Sequence, residues 1–327
     1  MNSLEFFIHC QKHPEQFEHN ALTLFRFQYE NISIYHQYCN SVNVSINQVK
    51  VLSDIPFLPI SFFRTHRIYG SHKPHQIVFE SSGTTSEITS KHYIKNLTIY
   101  QRSCLKGFER SIGSISDYVL LALLPTYLER ENASLVYMVD YLMKINQHPQ
   151  SGFFLNDFSS LFVQLTELTK QKKKSLLFGL SSALLDFAQI CRCKLDYTTV
   201  IETGGMKGKS KELTKAQLHH ELKSLLGVSK VYSEYGMTEL LSQAYSKGDN
   251  IFRPPPWMKI QIFDPTDPFT PLEINKTGAI NIIDLANIDS CAFIATQDLG
   301  RLKNHTDFEL IGRFDQGDLR GCNLLLG

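Results

Sequence analysis

A run of hydroxyl side chains, Ser81-Ser82-Gly83-Thr84-Thr85-Ser86, followed by Lys91, has the clearest capacity for chemistry in this 327-residue sequence. Small residues let backbone N–H groups converge on an anion, hydroxyls add donors and a lysine adds charge, so the stretch could cradle phosphate. By composition alone it also reads as a Ser/Thr/Gly surface loop. Four companions lie downstream. Thr203-Gly204-Gly205 is a glycine turn after a strand pattern. Tyr235-Gly236-Met237-Thr238-Glu239 offers an aromatic face for a base, a glycine for close approach, a hydroxyl, and a carboxylate able to hold Mg²⁺ through oxygen. Thr296-Gln297-Asp298-Leu299-Gly300-Arg301 is expected to be a turn whose Asp298 could accept hydrogen bonds from ribose hydroxyls. Gly312-Arg313-Phe314-Asp315 comes last.

Two other fragments imitate known signatures. Thr203 to Ser210 ends like a phosphate-binding P-loop, but Thr203 stands where that loop needs its first glycine. Gly179-Leu180-Ser181-Ser182-Ala183 approximates a nucleophile elbow, for which Asp298 and His305 could be nominated as partners, though nothing in their context supports the assignment. Ser181 reads better as a helix N-cap.

The elements that must position these groups follow from periodicity. Leu4 to Cys39 has helix-like apolar spacing and predicts two or three helices. Asp54 to Ile60 is punctuated by proline and reads as extended. Ile77-Val78-Phe79 is a short strand, with the hydroxyl loop at its carboxyl end, where ligands bind in an open α/β sheet. A helix is expected from about Ile94 to Ser111. From Asp117 strands and helices alternate: strand Tyr118–Leu124, helices Ala133–Ile145 and Phe158–Lys170, strand Ser175–Phe178, helix Ser181–Cys191, strand Thr198–Glu202, helix Thr214–Leu226, strand Lys230–Tyr232. This predicts a largely parallel, doubly wound sheet. From Lys259 the pattern becomes β-like and suggests an antiparallel portion closing the domain.

Composition is that of a globular protein, 43% hydrophobic and 20% charged. A formal net charge of +1 gives no electrostatic reason to expect nucleic acid or a membrane surface as partner. No signal peptide or transmembrane segment is visible; the most apolar run, Tyr118 to Pro125, is too short to span a bilayer. The seven scattered cysteines suggest reduced thiols in a cytoplasm, and neither their spacing nor that of the histidines suits zinc.

In order, Ser81 to Thr85, Gly204-Gly205, Tyr235 to Glu239, Thr296-x-Asp298-Leu299-Gly300 and Gly312-Arg313-x-Asp315 resemble the core motifs of the ANL adenylating superfamily. That superfamily includes acyl-CoA synthetases, peptide-synthetase adenylation domains and firefly luciferase. The chain is most similar to the short branch of LuxE-type acyl-protein synthetases. The similarity runs through Leu58-Pro59-Ile60, Ser90-Lys91-His92, Leu128-Glu129-Arg130, Ile201 to Met206 and Arg320-Gly321-Cys322, and covers about residues 54 to 322.

The resemblance implies an α/β adenylate-forming domain over residues 1–311, with doubly wound sheets, a helical part at 1–53 and a β-rich closing portion. A hinge-like tail at 312–327 would stand in place of the usual mobile C-terminal domain. It implies that Ser81, Ser82, Gly83, Thr84, Thr85 and Ser86, with Lys91, embrace the ATP β- and γ-phosphates. Gly204, Gly205 and Tyr235, with Gly236 beside them, would frame adenine. Thr238 would contact the α-phosphate, Glu239 would bind Mg²⁺, and Asp298 with Arg313 would hold the ribose. The late lysine of the mobile domain would be missing, leaving Lys91, Lys207, Lys209 or Arg320 to supply its charge.

The implied reaction activates a carboxylic acid, a fatty acid in this branch, to acyl-AMP and passes the acyl group to a thiol. Members of the branch use a cysteine near the C-terminus and hand the acyl group to a reductase partner. Cys322 occupies the matching place, near Arg320, whose charge favours a thiolate. It also reads as an ordinary cysteine beside Leu324 to Leu326. The acceptor could equally be a carrier protein. A CoA ligase of the phenylacetate type and a nucleotide-binding module without turnover stay open as alternatives.

Overall fold

The computed structural model describes residues 1–70, 73–81, 88–125, 132–155, 157–204 and 213–313. Helices α1 (Ser3–Lys12), α2 (Phe17–Asn31) and α3 (Ser33–Ser41) open the chain. The Asn2 side chain starts α1 by accepting from the amides of Leu4 and Glu5, which otherwise lack partners. Then come β1 (Leu58–Pro59), the single turn α4 (Phe62–Thr65), β2 (Ile77–Glu80), β3 (Lys91–Ile94) and α5 (Leu97–Ser111). The expected alternation follows as β4 (Val119–Leu123), α6 (Ser134–Asn146), β5 (Gly152–Phe153), α7 (Phe158–Lys170), β6 (Ser175–Leu180), α8 (Ser181–Ile190), β7 (Thr198–Thr203), α9 (Lys215–Leu226) and β8 (Lys230–Tyr235). The remainder is β: β9 (Ala244–Ser246), β10 (Ile251–Arg253), β11 (Met258–Phe263), β12 (Gly278–Asp284), β13 (Phe293–Leu302) and β14 (Phe308–Arg313). No helix among the described residues is long and apolar enough to cross a membrane.

The chain forms two compact units. One comprises the described residues of Met1–Cys104, Met237–Ser242 and Arg253–Gly327; the other comprises those of Leu105–Gly236 and Gln243–Phe252.

In the first unit β11, β12, β13 and β14 form an antiparallel meander, and β1 pairs in parallel with β13 at Leu58↔Ile294. The N-terminal helices pack aromatic rings on this sheet. Tyr35 stacks on Phe293 at 5.9 Å, and Phe25 meets both edge-on at 6.2 Å. All three are fully buried, and such pairs add about 0.5–1.5 kcal/mol beyond area burial. Gln28 of α2 fixes the loop after β12. Its Nε2 lies 2.6, 3.0 and 2.6 Å from the carbonyls of Asn287, Ile288 and Ser290, and its Oε1 accepts from the Ala292 amide at 3.0 Å. Gln28→Ala is expected to destabilise the protein by about 3 kcal/mol in urea unfolding, because several buried polar groups lose their partner together.

In the second unit the strand order is β10-β9-β8-β7-β6-β4-β5, with β8, β7, β6, β4 and β5 parallel and β9 antiparallel to β8. Strands covered on both faces should read as continuous apolar runs, and Val119-Leu120-Leu121-Ala122-Leu123 is buried throughout. Leu121, Leu123, Leu177 and Val200 meet Leu161, Leu165, Phe187 and Leu222 from helices α7, α8 and α9 in one apolar core.

Three expectations need correction here. The hydroxyl loop does not follow a strand of the parallel sheet. β2 pairs antiparallel with β3 as a separate two-stranded sheet, Phe79↔His92 and Glu80↔Lys91, so the loop joins the arms of a hairpin. The next helix consequently begins at Leu97, since Ile94 belongs to β3. Thr296 to Arg301 is not a turn but the middle of β13. Its Thr, Asp and Gly imitate turn chemistry because they alternate on a buried face, at positions 296, 298 and 300.

Candidate active site

Thr238 and Glu239 sit on a segment held from below by three side chains of the same unit. His92 Nδ1 donates to the Thr238 carbonyl at 2.9 Å, and Asn287 Nδ2 donates to the Glu239 carbonyl at 2.7 Å. Asp284 Oδ2 accepts from the amides of Leu241 and Ser242 at 2.9 and 3.0 Å, while its Oδ1 accepts the Ser242 hydroxyl at 2.6 Å. With these carbonyls and amides engaged by buried side chains, the backbone that bears Thr238 and Glu239 is held in place.

Glu239 is only 5% exposed. Burial raises its carboxyl above the usual range, against the opposing pull of the Ser90 hydroxyl and the charges of Arg313 and Arg64. Ser90 is itself tied to Ser81: its amide donates to Ser81 Oγ at 2.9 Å, and its carbonyl accepts the Ser81 amide at 3.1 Å. Asp298, 5% exposed, receives Arg313 Nε at 2.9 Å directly across the β13–β14 ladder. Ser81, Thr238, Glu239, Asp298 and Arg313 thus belong to one unit with Ser90 as their link to the hairpin. Lys91 is half-exposed and lies 3.6 Å from Glu80, a surface ion pair of small energetic value. Ser82, Gly83, Thr84, Thr85, Ser86, Gly205 and Cys322 lie outside the described residues.

The second unit holds Gly204, Tyr235 and Gly236. Gly204 adopts a left-handed φ of +72°, which favours glycine, and its carbonyl accepts from Ser181 Oγ at 3.1 Å and Lys215 Nζ at 3.4 Å. Tyr235 is 6% exposed with its ring edge-on to Phe252 at 5.8 Å. A methyl group on Gly236 would stand 2.5 Å from Glu234 Oε1, so no larger residue fits without displacing a buried carboxyl.

Beneath these three lies a polar cluster that sequence reasoning missed. Glu202, fully buried in β7, accepts from Lys215 Nζ at 2.6 and 2.7 Å, from Ser181 Oγ at 2.6 Å and from the Ser233 hydroxyl, with His219 Nε2 at 3.4 Å. Burial alone would raise its carboxyl; His219, Lys215 and Ser181 overcome that and hold it down at about 2. Ser181 is therefore no exposed nucleophile. It is the first residue of α8, Leu180 is the N-cap, and the hydroxyl serves Glu202 instead of the helix end. Glu202 carried a signal, being the one charge in a mostly buried parallel strand, and so did Lys215, a cation at the helix N-terminus that the macrodipole disfavours.

Glu234, one strand over, is pushed up to about 7, by burial first and then by the charge of Glu202, against the Thr203 hydroxyl that donates to it. A carboxyl raised in the folded state binds its proton more tightly there than in the unfolded chain. Its stabilisation is complete below the ordinary value of 4.5 and is lost as pH rises through about 7. Glu234→Gln is expected to remove a fall in stability of about 3 kcal/mol between those limits, read from urea midpoints across pH.

The described cysteines are all free. Burial pushes Cys10 and Cys39 up to about 12 and Cys193 up to about 11, and raises Cys191 and Cys291 as well.

A family model for acyl-protein synthetase, LuxE, matches residues 3–327. The chain belongs to the LuxE acyl-protein synthetase family. Among solved structures it is similar to ATP-bound MatB from Rhodopseudomonas palustris, at 17% identity and a TM-score of 0.55 over 72% of this chain and 47% of that one. It is also similar to 2-hydroxyisobutyryl-CoA ligase in complex with 2-HIB-AMP and CoA, at 12% identity and a TM-score of 0.68 over 93% and 69% of the two chains. At these identities the likeness establishes the fold, which is that of the adenylate-forming ligases. The chain spans about half the length of MatB. No curated protein matches the sequence.

Proposed function

We propose that this LuxE-family protein activates a carboxylic acid with ATP and transfers the resulting acyl group to a protein thiol. The observation that carries this reading is the buried Glu239 carboxylate, fixed beside Ser90 and under the charges of Arg313 and Arg64, in a chain of this family. Glu239 with the hydroxyls of Ser90 and Thr238 is a set of hard oxygen donors. Among the described residues no three His, Cys, Asp or Glu side chains form a ready-made metal cage. One carboxylate plus hydroxyls suits Mg²⁺, which takes few protein ligands and keeps waters and phosphate oxygens. Bound there, it would neutralise phosphate charge.

Ser81 to Ser86 and Lys91 would receive the β- and γ-phosphates, Thr238 the α-phosphate, and Asp298 with Arg313 the ribose. Gly204, Gly205, Tyr235 and Gly236 would frame the base. A carboxylate oxygen of the acid attacks the α-phosphorus; the bond to the β-phosphate oxygen breaks and pyrophosphate leaves. The Cys322 thiolate then attacks the acyl carbonyl, forming a thioester as AMP departs. The protein's share is positioning and charge stabilisation. A fatty acid as substrate, a reductase or carrier protein as the next acceptor and a cytoplasmic setting complete the proposal, the last supported by the scattered free cysteines.

Incubation with ATP, Mg²⁺ and a panel of fatty and aromatic acids tests it through pyrophosphate release and intact mass. The expected result is a hydroxylamine-labile gain of one acyl group that disappears in Cys322→Ala. Release that rises with added CoA and leaves no mass gain would assign a CoA ligase instead. No release with any acid would end the proposal.

A further inference from the structure

Glu239 Cα lies between two peptide planes, and each plane has its carbonyl gripped by a different side chain. The Thr238 carbonyl belongs to the plane before it and accepts from His92 of β3; the Glu239 carbonyl belongs to the plane after it and accepts from Asn287. A carbonyl can only accept, so His92 carries its hydrogen on Nδ1 and presents Nε2 as a bare lone pair. The same reasoning orients Asn287 with Nδ2 toward Glu239 and Oδ1 away from it. Both side chains are fully buried, and neither His92 Nε2 nor Asn287 Oδ1 receives a hydrogen bond. Both residues line one small cavity with Leu241 and Ala286, offering about 10 Å³ to the centre of a water molecule. That is room for one water, and a water bears two hydrogens for two acceptors.

We propose that His92 and Asn287 are positioning residues for Thr238 and Glu239, joined by a single buried water that donates to His92 Nε2 and Asn287 Oδ1. The assignment of roles rests on the function proposed above; the clamp itself does not. Neither residue touches substrate. Each acts by fixing the backbone from which Glu239 is presented.

A high-resolution crystal structure of the wild-type protein tests the water. One solvent peak within hydrogen-bond distance of both atoms is expected, and an empty cavity would overturn it. His92→Phe removes the donor, whereas His92→Asn places an amide nitrogen near the position of Nδ1. In His92→Phe the Mg²⁺ concentration for half-maximal pyrophosphate release is expected to rise about tenfold with the KM of the acid unchanged. His92→Asn should restore it to within about twofold. Rates are expressed per folded molecule, so mere loss of protein does not imitate the effect. Equal behaviour of the two variants would overturn the positioning role. If the wild-type enzyme released no pyrophosphate, the proposed function would fall. The clamp would still be decided by the crystal structure and by amide exchange at Leu240 to Ser242, expected to quicken in His92→Phe and not in His92→Asn.

Discussion

Lys215→Ala is expected to destabilise the protein by about 3–5 kcal/mol. Glu202 has no exposed surface, and Lys215 supplies two of its contacts and the nearby positive charge. Removing one partner of a buried pair leaves an uncompensated charge, at a cost of about 3–5 kcal/mol, whereas removing both costs far less. Lys215→Met combined with Glu202→Gln should therefore recover most of the loss, since glutamine can still serve Ser181 and Ser233. The pH dependence carries the same signature. Glu202 is depressed in the folded state, so its stabilisation is complete above the ordinary value of 4.5 and is lost as pH falls through about 2. Urea midpoints of the single and double variants from pH 3 to 8 decide the matter. A Lys215→Ala protein as stable as the parent at pH 7 would sink the argument.

Glu239→Gln is expected to lower acid-dependent pyrophosphate release by about a hundredfold or more, roughly 3 kcal/mol in the barrier, with no loss of thermal stability. The two outcomes separate because burial penalises the ionised carboxylate that metal binding requires. A neutral amide is easier to bury, and its oxygen still accepts from Ser90, so the fold gains nothing from the charge. The measurement is kcat/KM for ATP alongside the melting temperature. A variant that melts lower and keeps its activity would assign Glu239 to structure and remove it from the reaction.

Much of the scaffold was legible because periodicity is a local property. Helix α7 occupies the predicted Phe158–Lys170, and each strand of the parallel sheet apart from the two-residue β5 lies within two or three residues of its expected position. The same reading failed where polar residues face inward. Thr296, Asp298 and Gly300 have turn-like chemistry and strand geometry, because their burial is set by β12 and β14, which the local pattern does not contain. The site divides in the same way. Thr238, Glu239, Asp298 and Arg313 stood out in the sequence as candidates, and the structure places them in one unit. Their supports were not: His92, Asn287 and Asp284 act on one segment from other elements of the fold, and Ser181, Ser233, Lys215 and His219 reach Glu202 from neighbouring strands and helices. A hydrogen-bond partner on another element, 13 residues away for Lys215 and Glu202 or 146 for His92 and Thr238, leaves no period in the sequence.

Four of the six described thiols are buried, and this bears on where an acyl group could sit. An acyl group migrates between cysteines only when a second sulfur is ionised and reachable. Cys10, Cys39, Cys193 and Cys291 are held in the protonated form, so an acyl thioester formed elsewhere on the chain has few places to scramble to. Mass mapping of a loaded sample should then return one modified peptide, and the kinetics of its hydrolysis should be a single exponential.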